Sequence, residues 1–139
     1  MDKIVLPNEV LLEEIAVLLA EGREVVFRPK GNSMLPFIRG DRDSVILRKK
    51  EQVEIGDILL VRYRGRYVLH RLIRRDGDRL TLMGDGNIAG TETCGEADVI
   101  GTVVAVEKDN GRRRQPGKAR LWRALKPFRR IILALYRRI

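Results

Sequence analysis

Three short segments carry side chains that can do covalent chemistry together. Ser33 lies in Lys30-Gly31-Asn32-Ser33-Met34-Leu35-Pro36, where Gly31 lets the backbone turn sharply and Pro36 fixes the far side. The one histidine, His70, stands in Tyr67-Val68-Leu69-His70-Arg71-Leu72-Ile73. The third segment, Met83-Gly84-Asp85-Gly86-Asn87, is a glycine-flanked turn with a carboxylate. An alcohol, an imidazole and a carboxylate are the parts of a nucleophile, its base and the group that orients the base. Each also has a plainer reading: a turn serine facing solvent, a histidine satisfied at the edge of the core, an aspartate capping its own turn.

The elements that must position them are mainly β. Short β-branched runs divided by turn residues predict strands at 24–28, 44–48, 57–63, 66–74, 79–83 and 98–107. Arg64-Gly65 and Asp76-Gly77 sit where tight hairpins need positive φ. Strand alternation in 67–73 puts Val68, His70 and Leu72 on one face, so the imidazole stands between two aliphatic neighbours and is partly desolvated. A neutral imidazole is the state in which a general base works, and histidine exchanges protons near neutrality. Before the strands, apolar residues Val10, Leu11, Leu12, Ile15, Val17, Leu18 and Leu19 alternate with acids at helical spacing. This predicts an amphipathic helix over about 8–21, with Asn8 as N-cap after Pro7 and Gly22 as the stop.

Composition narrows the field. The chain has 139 residues, 44% of them hydrophobic, enough for one real core. One Cys makes no internal disulfide, and one Cys with one His is too small a set for a zinc site, so no metal or cofactor is expected. Cys94 is expected to be inert. Residues 1–20 are interrupted by Asp2, Lys3, Asn8, Glu9, Glu13 and Glu14, which excludes a spanning helix or signal peptide there and predicts a cytoplasmic chain.

Charge divides the chain in two. Through Asp109 there are 17 basic and 19 acidic residues, whereas from Asn110 onward there are 11 basic residues and no acid. The expected organisation is a folded body over 1–109, with its β part at about 24–107, and a basic tail over 110–139. The tail opens with an exposed linker, Asn110 to Lys118, rich in Gly, Pro and charge. Beyond it, Leu121, Leu125, Phe128, Ile132, Leu135 and Ile139 recur at spacings of four and three, with Arg123, Lys126, Arg130, Arg137 and Arg138 elsewhere around the helix. This is a basic amphipathic helix, interrupted at Pro127. Residues 119–139 suit peripheral contact with an anionic membrane, on its cytoplasmic face, as well as they suit packing on the body.

Gly31–Pro36, Gly40-Asp41, Gly56-Asp57-Ile58, His70-Arg71, Gly84-Asp85-Gly86-Asn87 and Val99-Ile100-Gly101, in this order, resemble the catalytic domain shared by type I signal peptidases and LexA-type self-cleaving repressors, the S24/S26 serine peptidases. The resemblance spans about residues 31–106. It implies a LexA/signal-peptidase-like fold of small coiled sheets, joined here to an N-terminal helix and a C-terminal basic amphipathic helix. It also implies that Ser33 is the nucleophile. The base is lysine in many relatives, but histidine followed by arginine in the endoplasmic-reticulum, archaeal and spore-former signal peptidases, which His70-Arg71 matches.

The resemblance matches Asp85 to the first of two acids that matter in the histidine-type enzymes, and Asp85 is expected to orient the histidine, with Glu92, beside the position of the usual triad acid, as the alternative. In the histidine-type enzymes a second acid falls six residues after the first, and that position here is Thr91. Gly31, Asn32, Met34 and Pro36 are expected to form the oxyanion and substrate-binding surroundings, although relatives often carry a hydroxyl where Gly31 stands. Asp41 and Asp57 are expected to serve the fold. No DNA-reading domain is expected before the serine, and no Ala-Gly or Cys-Gly pair lies among residues 1–32, so repressor-type self-cleavage is not expected. The resulting expectation is a serine endopeptidase acting on an extended peptide or protein, with small side chains next to the scissile bond. The alternative is a weakly active or inactive peptide-binding module tethered by its tail.

Overall fold

In the computed structural model, which describes residues 5–6, 12–87 and 89–137, the β-branched runs become strands. In chain order the elements are β1 (Val5–Leu6), α1 (Leu12–Ala20), β2 (Val25–Phe27), β3 (Ser44–Arg48), β4 (Ile58–Tyr63), β5 (Arg66–Asp76), β6 (Arg79–Met83), β7 (Glu92–Gly95), β8 (Val99–Glu107), β9 (Arg113–Arg114), α2 (Arg120–Ala124) and α3 (Arg129–Arg137). Single 3-10 turns lie at Glu96–Asp98 and Lys126–Phe128. The fold is mainly β. Three strands have no counterpart in the sequence reading: the two-residue β1 and β9, and β7, whose Glu-Thr-Cys-Gly offers no apolar alternation.

The strands pair in the order β1-β2-β3-β8-β4-β5-β6-β7, with β9 on β8, and every pairing except β1 with β2 is antiparallel. The register shifts at Ile46/Leu47, Leu60/Val61 and Leu72/Arg74. An extra residue on one strand of a pair sharpens the local twist. The sheet coils back on itself: β4 approaches β7 although β5 and β6 lie between them in the order.

Coiling makes two cores from one sheet. Ile58 and Leu60 of β4 enter a cluster with Ile15, Leu19, Val45 and Val103, whereas Leu59 and Val61 enter another with Leu72, Leu80, Leu82 and Cys94. That is why β4 reads as an unbroken apolar run, since a strand buried on both faces has no polar side. α1 covers the first cluster with Leu12, Ile15 and Leu19. It stops where Gly22, at φ 83°, lets Arg23 N–H reach Leu18 O and Gly22 N–H reach Leu19 O. Gly101 of β8 admits the helix, because a Cβ there would meet Leu19 Cδ1 at 2.7 Å. The expected helix start and its Asn8 cap lie outside the described residues.

The tail is bound to the body. Residues 110–118 are largely exposed, as their composition predicts, yet Arg113–Arg114 pairs with Val106–Glu107. Lys118 meets the carboxylate of Asp57, which also accepts from Lys50 Nζ (3.0 Å) and from the Glu54 amide (2.9 Å). Pro127 breaks the helix, as expected, leaving α2 and α3 on either side of a 3-10 turn. The expected apolar stripe does not form as a unit. Trp122 and Leu133 are buried with Leu35, but Phe128 and Leu135 face solvent and Arg129 is buried. The break at Pro127 shifts the phase of α3 relative to α2, so residues in step along a continuous helix part company here. The side chains of Leu121 and of residue 139 lie outside the described residues.

Two outcomes follow. Leu133→Ala should lower unfolding free energy by about 2–4 kcal/mol in urea titrations, whereas Ile131→Ala should stay within about 0.5 kcal/mol; the reverse order would mean that α3 is rotated. Burial alone would raise the Asp57 carboxyl, but hydrogen bonds from Lys118, the Glu54 amide and Lys50 outweigh it and hold the group below the ordinary 3.8. A lowered folded pKa contributes stability above the unfolded value and loses it as pH falls through the folded one. The stability difference between wild type and Asp57→Asn should therefore be full at pH 7 and shrink on acidification below that value.

Candidate active site

Ser33 sits on a loop between β2 and β3 that is closed at its neck. Asp41 N–H donates to Pro29 O at 2.8 Å, and Gly40 passes so close to Gly31 that a Cβ at residue 40 would overlap Gly31 O at 1.7 Å. Asp41 takes φ 63°, a conformation that a short polar side chain tolerates. Inside the loop, Leu35 N–H bonds Asn32 O, and Phe37 and Ile38 N–H both bond Met34 O. Met34, Leu35 and Ile38 are buried and anchor the loop, leaving Ser33 partly exposed at the start of the turn. No acceptor for the Ser33 backbone N–H occurs among the described residues.

His70 lies on β5 opposite Leu59 of β4. Its side chain is 12% exposed, and its Nδ1 meets Glu92 Oε1 at 2.5 Å. A carboxylate only accepts, so the proton belongs on Nδ1, and neutral imidazole then carries its lone pair on Nε2. Glu92 opens β7, where alternation turns Glu92 and Cys94 inward and Thr93 outward; Thr91, just before the strand, is also exposed. Strand parity thus selects residue 92 rather than 91. Burial, with the nearby Asp98 and Glu92 carboxylates, pushes the Cys94 thiol up to about 11, which disfavours the reactive thiolate.

Asp85 does not orient the histidine. Its carboxylate, 1% exposed, is clasped by Arg71, 0% exposed, with Nε at 2.9 and 3.1 Å and Nη2 at 2.7 Å. His70 and Arg71 are adjacent in β5 and project to opposite sides, so the acid that pairs with one is carried away from the other. Arg71 Nη1 also donates to Gly56 O (2.7 Å) and Gly117 O (2.9 Å). Asp85 serves to fix the 84–87 turn. Trp122 Nε1 donates to Asp85 O (2.8 Å), Gly86 N–H donates to Ser33 O (2.7 Å), and Arg129 Nη1 reaches Asn87 O (3.3 Å).

That turn brings serine and histidine together. A Cβ at Gly84 would stand 2.5 Å from the Ser33 backbone carbonyl O and 3.0 Å from His70 Nε2, so that carbonyl and the ring nitrogen are separated by no more than the sum of those distances. A Cβ at Gly86 would meet Asn32 O at 2.4 Å. Ser33 and His70 both line a cleft of about 560 Å³, with Gly31, Met34, Tyr67, Val68 and Leu69 among its walls. Among the described residues no hydrogen bond joins Ser33 Oγ to His70. Of the other expected surroundings, Asn32 backs onto Gly86 and Pro36 lies beyond the cleft lining. Asp57 serves the loop before β4, and Asp41 the neck of the serine loop.

One side of β5 is open at the cleft. β6 pairs only with Arg71–Asp76, so Arg66–His70 has its partner β4 on one side and no strand on the other among the described residues. The sequence reading did not anticipate Arg129 and Trp122 as supports of the site. Nothing in local pattern distinguishes them, because both act across more than thirty residues of chain.

Residues 2–104 match the family described as Peptidase S24-like. No curated protein matches the chain. With most of its length matched, and with the serine loop, the histidine strand and the Gly-Asp-Gly turn all inside that span, the chain belongs to the Peptidase S24-like family.

Proposed function

We propose that this protein is a serine endopeptidase in which Ser33 is the nucleophile, His70 the general base and Glu92 the acid that orients the base. The observation that carries the reading is that Ser33 and His70 face one cleft while Glu92 holds the opposite nitrogen of the imidazole. Ser33 Oγ attacks the peptide carbonyl as its proton passes to His70 Nε2. The new C–O bond leaves a tetrahedral oxyanion, for which the Ser33 N–H is a donor. Collapse of that intermediate breaks the C–N bond, and the imidazolium returns the proton to the departing amine. Water, activated by the same nitrogen, then releases the acyl group from Ser33. Glu92 keeps the tautomer and stabilises the transient imidazolium. The serine–histidine hydrogen bond belongs to the substrate complex, where such contacts tighten.

The substrate is an extended peptide. The free side of Arg66–His70 supports its addition as a strand, running to the histidine at the end of the cleft. The walls contributed by Phe27, Met34, Ile38, Leu60 and Leu69 suit apolar side chains. A second reading, a peptide-binding module without turnover, draws support from Gly31 standing where a second oxyanion donor is common.

On a library of fluorogenic peptides, Ser33→Ala and His70→Ala should each lower kcat by about 10⁴ or more. Glu92→Gln should lower it by about 10²–10⁴ with little change in stability. Arg71→Met behaves differently: it strands a buried carboxylate and should cost about 3–5 kcal/mol of folding stability. Equal peptide affinity in wild type and both alanine variants, with turnover in none, would replace the peptidase by the binding module. Gly84→Ala should lower kcat by about 10², because its methyl group must push Ser33 and His70 apart; unchanged kcat in a folded variant would show that this wedge does not set their separation.

A further inference from the structure

We propose that the C-terminal segment docks this protein on an anionic lipid surface, with Phe128, Ile131 and Leu135 as the inserting ridge. These side chains are 57%, 64% and 60% exposed. Their spacings of three and four residues set them along one side of α3 and the turn before it. The inward side is already filled: Leu133 packs with Leu35 and Trp122, and the Arg129 guanidinium lies 5.4 Å from the Trp122 ring centre. A surface helix ordinarily turns its apolar residues to the core and its cations to water. Here an arginine is 2% exposed while three large apolar side chains face outward, so packing on the β body does not account for the ridge.

Charge identifies the occupant. Eleven basic residues and no acid follow Asp109. Arg130, on α3 itself, is exposed and has no ion pair among the described residues. Apolar insertion joined to local positive charge is the chemistry of an interfacial helix on anionic headgroups. α3 is nine residues long, short of the roughly 20 needed to cross a hydrocarbon core, so it lies within the interface. A second copy of the chain is the poorer partner, because pairing two such segments brings like charges together. Nucleic acid is poorer too, since a ridge of two aliphatic residues and one phenylalanine provides no ladder of stacking rings. The inference is independent of peptidase activity.

The test is sedimentation of the full chain with vesicles of phosphatidylcholine alone, or of phosphatidylcholine and phosphatidylglycerol at three to one. Binding is expected to the phosphatidylglycerol vesicles, not to phosphatidylcholine alone, and should weaken as salt is raised. Phe128→Ser, Ile131→Ser and Leu135→Ser combined should lower partitioning at least about tenfold. Arg130→Glu should lower it several-fold. Unchanged fluorescence of the buried Trp122 would verify that the variants are folded. No binding to phosphatidylglycerol vesicles at low salt, or undiminished binding by the triple variant, would overturn the proposal. So would a triple variant that turns a dimer into a monomer in light scattering without altering vesicle binding, or tighter ridge-dependent binding to duplex DNA than to the vesicles.

Discussion

The buried pair of Arg71 and Asp85 is the constraint on which the site depends. Two charges removed from water are tolerated only when their hydrogen-bonding capacity is met. Arg71 therefore gathers partners from distant chain segments: Asp85 after β6, Gly56 before β4 and Gly117 ahead of α2. The Phe37 ring, on the serine loop, lies 5.2 Å from the guanidinium carbon. Moving any of these pieces would leave a buried donor or acceptor unsatisfied. The pair contributes definition more than net stabilisation, and what it defines is the position of the 84–87 turn.

From that turn the geometry of the cleft follows. Its glycines let it lie between the serine loop and His70 in the middle of β5 without a side chain in the way. β6 ends just before the turn, so the chain leaves the sheet where His70 begins to line the cleft. The same departure uncovers the β5 edge. A strand longer than its neighbour thus carries His70 into the cleft and leaves one edge without a partner strand among the described residues.

The tail belongs to this system. Trp122 holds the carbonyl of Asp85, Arg129 reaches that of Asn87, and Leu133 packs behind Leu35, two residues from the serine. Burial draws Arg129 below arginine's ordinary value; Asp85 opposes the shift and Arg71 adds to it. Arg129 Nε is buried without a hydrogen-bond partner among the described residues. This cation is held by the Trp122 face and by the field of Asp85, which makes the helix phase specific. Only with Arg129 facing inward does the apolar ridge face out.

The primary structure by itself determined the strands with strong alternation, the break at Pro127, the charge division at Asp109 and the presence of Ser33 and His70 as candidate reactive groups. All of these depend on neighbours along the chain: a period of two, a fixed φ, a count of charges, a functional group. Tertiary structure decided which acid meets the histidine and which face of α3 is hidden. Glu92 reaches His70 because β7 pairs with β6 and the sheet coils, although no apolar pattern marks β7. Asp85 goes to Arg71 because adjacent strand residues point to opposite sides. The inward turn of Arg129 depends on a tryptophan face and a carboxylate brought there by folding. Contacts across long stretches of chain leave no periodic trace in a sequence, because periodicity records how one element repeats and not what another element places against it.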